Sequence, residues 1–127
     1  MPEPINPNLS DEQKNICFLK GTEPPFSGKF VDFHESGTFT CANCGQTLFS
    51  SKTKFDSGSG WPSFSDVVGQ GRVKLSDDSS LGMHRTEVIC ANCGVHLGHL
   101  FDDGTTKTGK RYCINSLVLD FEAKDSK

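Results

Sequence analysis

The strongest constraint on this chain is a five-residue repeat. Cys41-Ala42-Asn43-Cys44-Gly45 recurs without change as Cys90-Ala91-Asn92-Cys93-Gly94. A C-x-x-C turn, here called a knuckle, directs two thiolates to a common point, and the glycine after it permits a positive φ. Two knuckles supply four sulfur ligands in a tetrahedron, which is the closed coordination of a structural zinc ion. The repeat therefore predicts one structural Zn²⁺ per chain, bound by Cys41, Cys44, Cys90 and Cys93.

Other uses of the two C-x-x-C pairs fit the sequence less well. Two disulfides would suit an oxidising compartment, and no secretory signal precedes the pairs. A thioredoxin-type redox pair needs a single C-x-x-C on a strand-to-helix turn, whereas both pairs here follow strand-like sequence. A catalytic zinc site needs an open coordination position, which four sulfurs do not leave. An iron–sulfur cluster is the remaining minor alternative.

The length and charge of the chain indicate one small domain. In a chain of 127 residues we expect one folded domain over 10–122, a flexible leader over 1–9 and a polar tail over 123–127. The net charge of −3 argues against nucleic acid as a partner. No apolar run reaches the length of a membrane span. These features predict a cytoplasmic monomer that binds no membrane.

Local patterns predict one short helix and a mainly antiparallel β body. Ser10 and Gln13 match a capping box, and Gly21 is a natural stop, so we expect a helix over 11–19. Short runs rich in β-branched and aromatic residues then predict strands. These runs are Phe30–Phe33, Gly37–Cys41, Val73–Leu75, Glu87–Cys90 and Ser116–Phe121.

Cys113 lies outside both knuckles, in a strand-like segment. The two-residue period of a strand places Arg111, Cys113 and Asn115 on one face. A guanidinium there could stabilise a thiolate, and an amide could offer it further hydrogen bonds. The pattern is typical of a cysteine nucleophile, and the alternative is a small buried core cysteine.

Two further features favour a reactive site. His96 and His99 follow the second knuckle, and imidazoles are the usual proton donors near neutral pH. Trp61, the only tryptophan, lies in a glycine-rich loop where it could line a pocket. Each feature alone has an ordinary structural interpretation.

Together these motifs resemble the B-type methionine sulfoxide reductases in their zinc-containing form. The resemblance covers residues 10–122 in the family's order and spacing. It is carried by Gly21-Thr22-Glu23-Pro24-Pro25-Phe26, the two knuckles, Phe55–Phe64 with Gly58-Ser59-Gly60-Trp61-Pro62, His96-Leu97-Gly98-His99, Phe101-x-Asp103-Gly104 and Arg111–Ser116.

The resemblance implies a fold and a set of roles. The fold would be two small antiparallel sheets packed as a tent. Cys113 would be the catalytic cysteine that reduces the R epimer of methionine sulfoxide in peptides and proteins. Trp61 would pack against the methyl group of the substrate, and His96 and His99 would surround the sulfoxide oxygen. Arg111 and Asn115 would tune the thiolate.

The chemistry of a sulfoxide adds a requirement. Its sulfur becomes electrophilic toward a thiolate as the oxygen gains a proton, so we expect a deprotonated Cys113 beside a protonated His96 or His99. The reaction leaves a cysteine sulfenic acid, which a thiol must capture. By analogy with the family, thioredoxin or a similar dithiol supplies the final electrons.

The chain departs from the family pattern at Ser59. Many members have a cysteine there that resolves the sulfenic acid as an intramolecular disulfide. Here either thioredoxin attacks the sulfenic acid directly or Cys17, on the predicted helix, is the resolving residue. The competing interpretation of the whole chain is a zinc-knuckle interaction module without chemistry, in which Cys113 belongs to the core and no thiol is acidic.

Overall fold

The computed structural model describes residues 4–69, 71–78, 85–102 and 108–123. Within this part the chain forms one α-helix and short antiparallel strands. They are α1 (Asp11–Leu19), β1 (Gly37–Cys41), β2 (Thr47–Ser50), β3 (Lys54–Phe55), β4 (Ser63–Phe64), β5 (Val73–Asp78), β6 (Arg85–Cys90), β7 (His96–Phe101), β8 (Arg111–Ile114) and β9 (Leu119–Ala123). The predicted helix and the mainly β architecture are confirmed.

The helix α1 has the predicted bounds, but the residue that stops it is not the expected glycine. The Ser10 hydroxyl accepts from the Gln13 amide, and the Gln13 side chain accepts from the Ser10 amide, so the capping box is complete. At the other end Lys20, rather than Gly21, adopts the left-handed conformation, with φ of 58°. Gly21 instead donates its amide to the Asn15 carbonyl at 3.1 Å. The chain therefore leaves the helix at Lys20.

The strands form two antiparallel sheets. The first has the order β2-β1-β9 and the second the order β3-β4-β8-β7-β6-β5. The two-sheet fold implied by the family resemblance is therefore present, although the second sheet has six strands. The first knuckle follows β1 in one sheet, and the second follows β6 in the other. Any metal that binds both knuckles would join the two sheets.

Phenylalanine rings from both sheets form the core between them. Phe39 on β1, Phe49 on β2 and Phe64 on β4 are fully buried. Phe49 and Phe64 stack with their ring centroids 4.4 Å apart, and Phe39 meets Phe64 edge to face at 5.1 Å. Such pairs add stabilisation beyond the burial of their area. The core fixes the second sheet, which carries the candidate site, against the first.

Two of the predicted strands are wrong or partly wrong. Residues 30–32 form a turn, and the rings of Phe30 and Phe33 contact each other with their centroids 5.0 Å apart. Side chains three apart meet in a turn but point to opposite faces of a regular strand. In the last run, Ser116–Val118 forms a 3-10 turn and the strand is limited to β9. Within β9 the first two residues lie on opposite faces, with Leu119 buried and Asp120 exposed.

Part of the predicted leader contacts the first knuckle. The Ile5 amide donates to the Asn43 side chain at 2.7 Å, and the Asn6 side chain donates to the Ala42 carbonyl at 2.9 Å. Leu9 is buried. The domain boundaries themselves stay a prediction. Across the described ranges, the helix is too short to cross a membrane.

Candidate functional site

A cleft of about 210 Å³ opens on the six-stranded sheet. It brings together most of the residues that the sequence singled out. The described lining residues are Thr22, Ser59, Trp61, Arg85, Gly98, His99, Phe101, Arg111, Cys113 and Asn115. Larger depressions of about 400 and 470 Å³ lie elsewhere, and the described residues that line them include no cysteine or histidine. The thiol of Cys113 and the imidazole of His99 therefore meet in the smaller cleft.

The register of the sheet places Cys113 in the middle of this site. Cys113 on β8 lies opposite His99 on β7 and, on its other side, opposite Ser63 on β4. His99 in turn lies opposite Glu87 on β6. The four residues form a row across neighbouring strands. The neighbours of Cys113 are thus fixed by backbone pairing rather than by flexible loops.

Gly98 permits the close approach of β7 and β8 beside Cys113. A Cβ atom at position 98 would collide with the Cys113 carbonyl oxygen and come within 2.9 Å of the Ile114 Cα. These are backbone atoms and cannot move aside cheaply. The His96-Leu97-Gly98-His99 motif therefore needs glycine for packing as well as histidine for chemistry.

The electrostatic environment holds Cys113 as a thiol at rest. Burial raises the pKa of Cys113, while a hydrogen bond from Ser59 and the positive charge of Arg111 lower it in part. The negative charge of Glu23 raises it further. Arg111 lies over the Phe101 ring, 4.4 Å from its centroid, and this contact keeps the guanidinium at the cleft. Burial therefore outweighs the charge of Arg111, and the role of Arg111 toward the thiolate stays a prediction.

A β-bulge brings the two histidines to the same side of the sheet. Residues three apart on a regular strand point to opposite faces, yet the His96 and His99 rings contact each other with centroids 5.3 Å apart. The pairing of β6 with β7 shifts register between Val88 and Ile89. At this bulge the side chains of β7 no longer alternate between the two faces of the sheet. His99 lines the cleft, whereas His96 is 3% exposed and is absent from the cleft wall.

Each histidine has a buried carboxylate partner that sequence reasoning missed. His96 Nδ1 lies 2.7 Å from Glu87 Oε2, and His99 Nε2 lies 2.8 Å from Asp78 Oδ2. Arg85 approaches the same Asp78 oxygen at 3.6 Å. The acids come from the neighbouring strands β5 and β6 and reach the histidines only through strand pairing. The only available signal was an acidic residue, Glu87, directly before the apolar run Val88–Cys90.

The segment before the first sheet anchors Trp61 and Asn115. The Trp61 indole N–H donates to the Glu23 carbonyl at 2.9 Å, and the Glu23 amide donates to Asn115 Oδ1 at 3.1 Å. Asn115 Nδ2 donates to the Leu97 carbonyl at 3.0 Å. Asn115 thus lines the cleft while its amide ties neighbouring segments together. Its role toward the thiolate stays a prediction.

The four knuckle cysteines converge as a metal site requires. Their sulfur atoms all lie within 4.8 Å of one another. Cys41 Sγ is 3.6 Å from Cys93 Sγ, and Cys44 Sγ is 3.7 Å from Cys90 Sγ. A tetrahedral ion with metal–sulfur bonds of about 2.3 Å would separate its ligands by about 3.8 Å, so the sulfur positions fit such an ion.

The two knuckles have the same backbone geometry, which explains the repeated sequence. Gly45 and Gly94 have φ of 83° and 82°. Each donates its amide to the carbonyl of the first cysteine of its knuckle, Cys41 or Cys90, at 2.8 Å. The predicted positive φ at both glycines is confirmed.

The two candidate resolving positions have different surroundings. Ser59 Oγ lies 4.0 Å from Cys113 Sγ, in the cleft. Cys17 is 2% exposed on α1 and belongs to the hydrophobic core. Burial raises the pKa of Cys17 to about 12, with smaller contributions from Cys93 and Cys90 of the second knuckle. In this structure Cys17 is associated with the metal site rather than with the cleft. Asp103 and Gly104 of the sequence motif lie outside the described residues.

Comparisons with known proteins agree with this arrangement. Residues 9–123 match the SelR domain. The chain is 56% identical over 117 residues to a peptide methionine sulfoxide reductase MsrB of Methanosarcina barkeri, a match that covers 92% of this chain and 82% of that protein. It is 54% identical over 114 residues to an MsrB of Teredinibacter turnerae, covering 90% and 84% of the two chains.

A eukaryotic relative is similar over a smaller share of its length. The mitochondrial methionine-R-sulfoxide reductase B3 of Mus musculus is 49% identical over 122 residues. The match covers 96% of this chain and 48% of that protein.

Proposed function

This chain belongs to the SelR-domain family of MsrB-type methionine sulfoxide reductases, and we propose that it reduces the R epimer of methionine sulfoxide in peptides and proteins. One observation carries the proposal: Cys113 lies in a cleft with His99 directly opposite on the neighbouring strand, and Trp61 lines the same cleft. The cleft thus combines a nucleophile, a proton carrier and an apolar surface. The enzyme is an oxidoreductase whose role is the repair of oxidised methionine.

We propose that the two sides of the cleft distinguish the ends of the sulfoxide group. The indole of Trp61 forms an apolar wall for the methyl group, and His99 and Arg111 form the polar side that meets the oxygen. The indole is held by its hydrogen bond to Glu23, so the wall has a fixed orientation. With the Cys113 sulfur as a third fixed point, the apolar side and the polar side admit one epimer better than the other.

The reaction conserves atoms and electrons within the cleft. The Cys113 sulfur gives an electron pair to the sulfoxide group, the substrate S–O bond breaks, and oxygen ends on Cys113 as a sulfenic acid. The substrate sulfur is reduced by two electrons and the Cys113 sulfur is oxidised by two. The thiol proton reaches the oxygen through the histidine side of the cleft. Because burial keeps Cys113 protonated at rest by raising its pKa, we place its deprotonation in the substrate complex.

The sulfenic acid must be reduced before a new cycle. A thiol attacks the Cys113 sulfur and releases water, and a second thiol then breaks the mixed disulfide. We propose thioredoxin or a similar dithiol as the source of both. The burial of Cys17 favours direct attack by this external donor over the internal route through Cys17.

The two recycling routes can be separated by trapping. One equivalent of methionine sulfoxide is added without a thiol, and the protein is digested with and without dimedone, a sulfenic acid reagent. Direct attack predicts a dimedone adduct on Cys113 and full thioredoxin-dependent turnover in Cys17→Ser. A Cys17–Cys113 disulfide peptide would instead assign the resolving role to Cys17.

The metal proposed for the knuckles is zinc, with a structural role. Four sulfur donors at tetrahedral spacing suit Zn²⁺ and leave it no open position for substrate. The ion would stabilise the link between the two sheets. We further propose that the protein is a cytoplasmic monomer, a location in which thiol donors are available for its recycling.

The function is tested by supplying both epimers of a methionine sulfoxide peptide with dithiothreitol. We expect the R epimer to be consumed and methionine to accumulate, while the S epimer remains. An interaction module without chemistry would consume neither epimer. Consumption of the S epimer alone would contradict the proposed specificity.

A further inference from the structure

Glu87 is a fully buried carboxylate that lies between two basic side chains. It is 1% exposed, with Oε2 2.7 Å from His96 Nδ1 and Oε1 3.2 Å from Lys20 Nζ. Lys20 is the residue that ends α1 in the left-handed conformation, and its side chain is 63% exposed. The ammonium of Lys20 therefore covers the solvent side of the carboxylate, and His96 contacts its inner side.

The contact with Glu87 decides which nitrogen of His96 carries the proton. An ionised carboxylate accepts hydrogen bonds only, so Nδ1 must be the donor in this pair. In a neutral imidazole the other nitrogen then bears a lone pair. His96 Nε2 is buried, and among the described residues it has no hydrogen-bond partner. The ring packs against that of His99, whose centroid is 5.3 Å away.

Lys20 makes the set of Lys20, Glu87 and His96 electrically neutral when His96 is unprotonated. With Lys20 charged and Glu87 ionised, the pair has no net charge, and protonation of His96 would bury an uncompensated positive charge. Without Lys20 the same protonation would instead complete a Glu87–His96 ion pair. Among the described residues, the charged and titratable groups that face His96 are Glu87 from β6, His99 from β7 and Lys20 from the end of α1.

We propose that Glu87 is a positioning residue for His96. Through its contact with Glu87, Lys20 makes His96 the proton acceptor of the histidine pair. His99 is then the residue that donates a proton to the sulfoxide oxygen. The inference rests on the proposed function, which it deepens by assigning the two histidines different roles. His99 suits the donor role because it lies opposite Cys113 and lines the cleft. Its Nε2 donates to Asp78, so the proton that it gives to the oxygen is the one on Nδ1 of the protonated ring. Burial lowers the pKa of His96, with Glu87 opposing the effect, which agrees with an acceptor at neutral pH.

The proposal gives α1 a function beyond packing. The chain leaves the helix at Lys20, whose ammonium neutralises Glu87. The position of α1 therefore sets the charge next to the active site. Replacing Lys20 by methionine should raise the pKa of His96 and allow it to be protonated. Replacing Glu87 by glutamine should lower that pKa and remove the preference for one tautomer. The two changes act in opposite directions.

The test uses ¹⁵N-histidine-labelled, zinc-loaded enzyme, with NMR titration of the imidazole nitrogens and the pH profile of R-epimer reduction. The variants are Lys20→Met, Lys20→Arg as the conservative rescue, and Glu87→Gln. Lys14→Met, an exposed lysine on the same helix, is the matched control. Since Lys20 is exposed, Lys20→Met tests the proposal even where Glu87→Gln fails to fold.

The parent and the Lys14→Met and Lys20→Arg variants should show His96 neutral at pH 7 with its proton on Nδ1. Lys20→Met should move the His96 titration, and one limb of the pH profile, to higher pH. A parent His96 that is protonated at pH 7 or carries its proton on Nε2, or a Lys20→Met profile identical to that of Lys14→Met, would overturn the proposal. The NMR result does not depend on activity, so an inactive enzyme with the expected tautomer would fault only the proposed function.

Discussion

Ser59 Oγ lies 4.0 Å from Cys113 Sγ, so the residue next to the reactive sulfur is a hydroxyl where many family members have a thiol. The contact lowers the pKa of Cys113 in part, but it offers no redox partner. The position is nonetheless close enough to Cys113 for a sulfur–sulfur bond after a small movement of the Gly58–Gly60 loop.

Ser59→Cys should therefore form a disulfide between the introduced thiol and Cys113 after one turnover without added thiol. The new thiolate would capture the sulfenic acid in place and release water. The measurement is mass spectrometry of the digested protein, with Ser59→Ala as the control for loss of the hydroxyl. Oxidised Ser59→Cys that still gives a dimedone adduct on Cys113, and no disulfide peptide, would show that the loop holds the two residues apart.

Arg111→Met should make Cys113 less reactive at neutral pH. Burial has already raised the pKa of Cys113 from its ordinary value of 9.0, and removal of the positive charge raises it further. A thiol with a raised pKa stays protonated until the pH passes that pKa. Its alkylation rate therefore continues to rise at pH values where an ordinary cysteine is already ionised. The rate with iodoacetamide, measured from pH 6 to 11, should have a higher midpoint in Arg111→Met, while Arg111→Lys stays near the parent. Coincident curves for all three proteins would remove Arg111 from this role.

Trp61→Ala should reduce R-epimer turnover without altering the thiol. Loss of the apolar wall should lower kcat/KM by about 100-fold, within the range that hydrophobic substrate contacts supply. Trp61→Phe keeps an aromatic wall but loses the hydrogen bond to the Glu23 carbonyl, so we expect an intermediate loss. Iodoacetamide reactivity should match the parent in both variants. Unchanged turnover in Trp61→Ala would mean that the loop serves structure alone.

Cys44→Ser should affect metal content and stability before it affects chemistry. Three sulfurs bind zinc less tightly than four, and the knuckles link strands β1 and β6, which are far apart in sequence. Tm should fall by about 7 °C, the shift expected for a loss of about 2 kcal/mol in a domain of this size. Metal analysis and thermal unfolding provide the measurement, with Cys113→Ser as a cysteine control outside the knuckles. A metal-free Cys44→Ser protein as stable as the parent would refute a structural role for the ion.

Local patterns predicted those parts of the molecule that depend on local interactions. The capping box of Ser10 fixes the start of α1, and the knuckle glycines Gly45 and Gly94 fix the turns that collect the sulfur ligands. The two-residue period of a strand predicted that Arg111, Cys113 and Asn115 share one face, and all three line the cleft. In each case residues within a few positions of one another carry the information.

The remaining features depend on pairings between distant segments. The β-bulge opposite Val88 and Ile89 brings His96 and His99 together, and a two-residue period cannot predict it. The carboxylates of Glu87 and Asp78 reach the histidines only after β5, β6 and β7 have paired. Phe30 resembles part of a strand but turns to pack against Phe33 and Phe39. Tertiary packing decides all of these positions.

The central claim is that Cys113 removes the oxygen from the R epimer and carries it as a sulfenic acid. The most direct measurement is a single turnover without reductant, in which methionine and modified Cys113 are counted together. We predict one equivalent of methionine per protein, from the R epimer only, matched by one dimedone adduct on the Cys113 peptide. Cys113→Ser should give neither product and retain its zinc. Methionine formed without modification of Cys113, or activity of Cys113→Ser within about tenfold of the parent, which is about 1.4 kcal/mol in the barrier, would contradict the account.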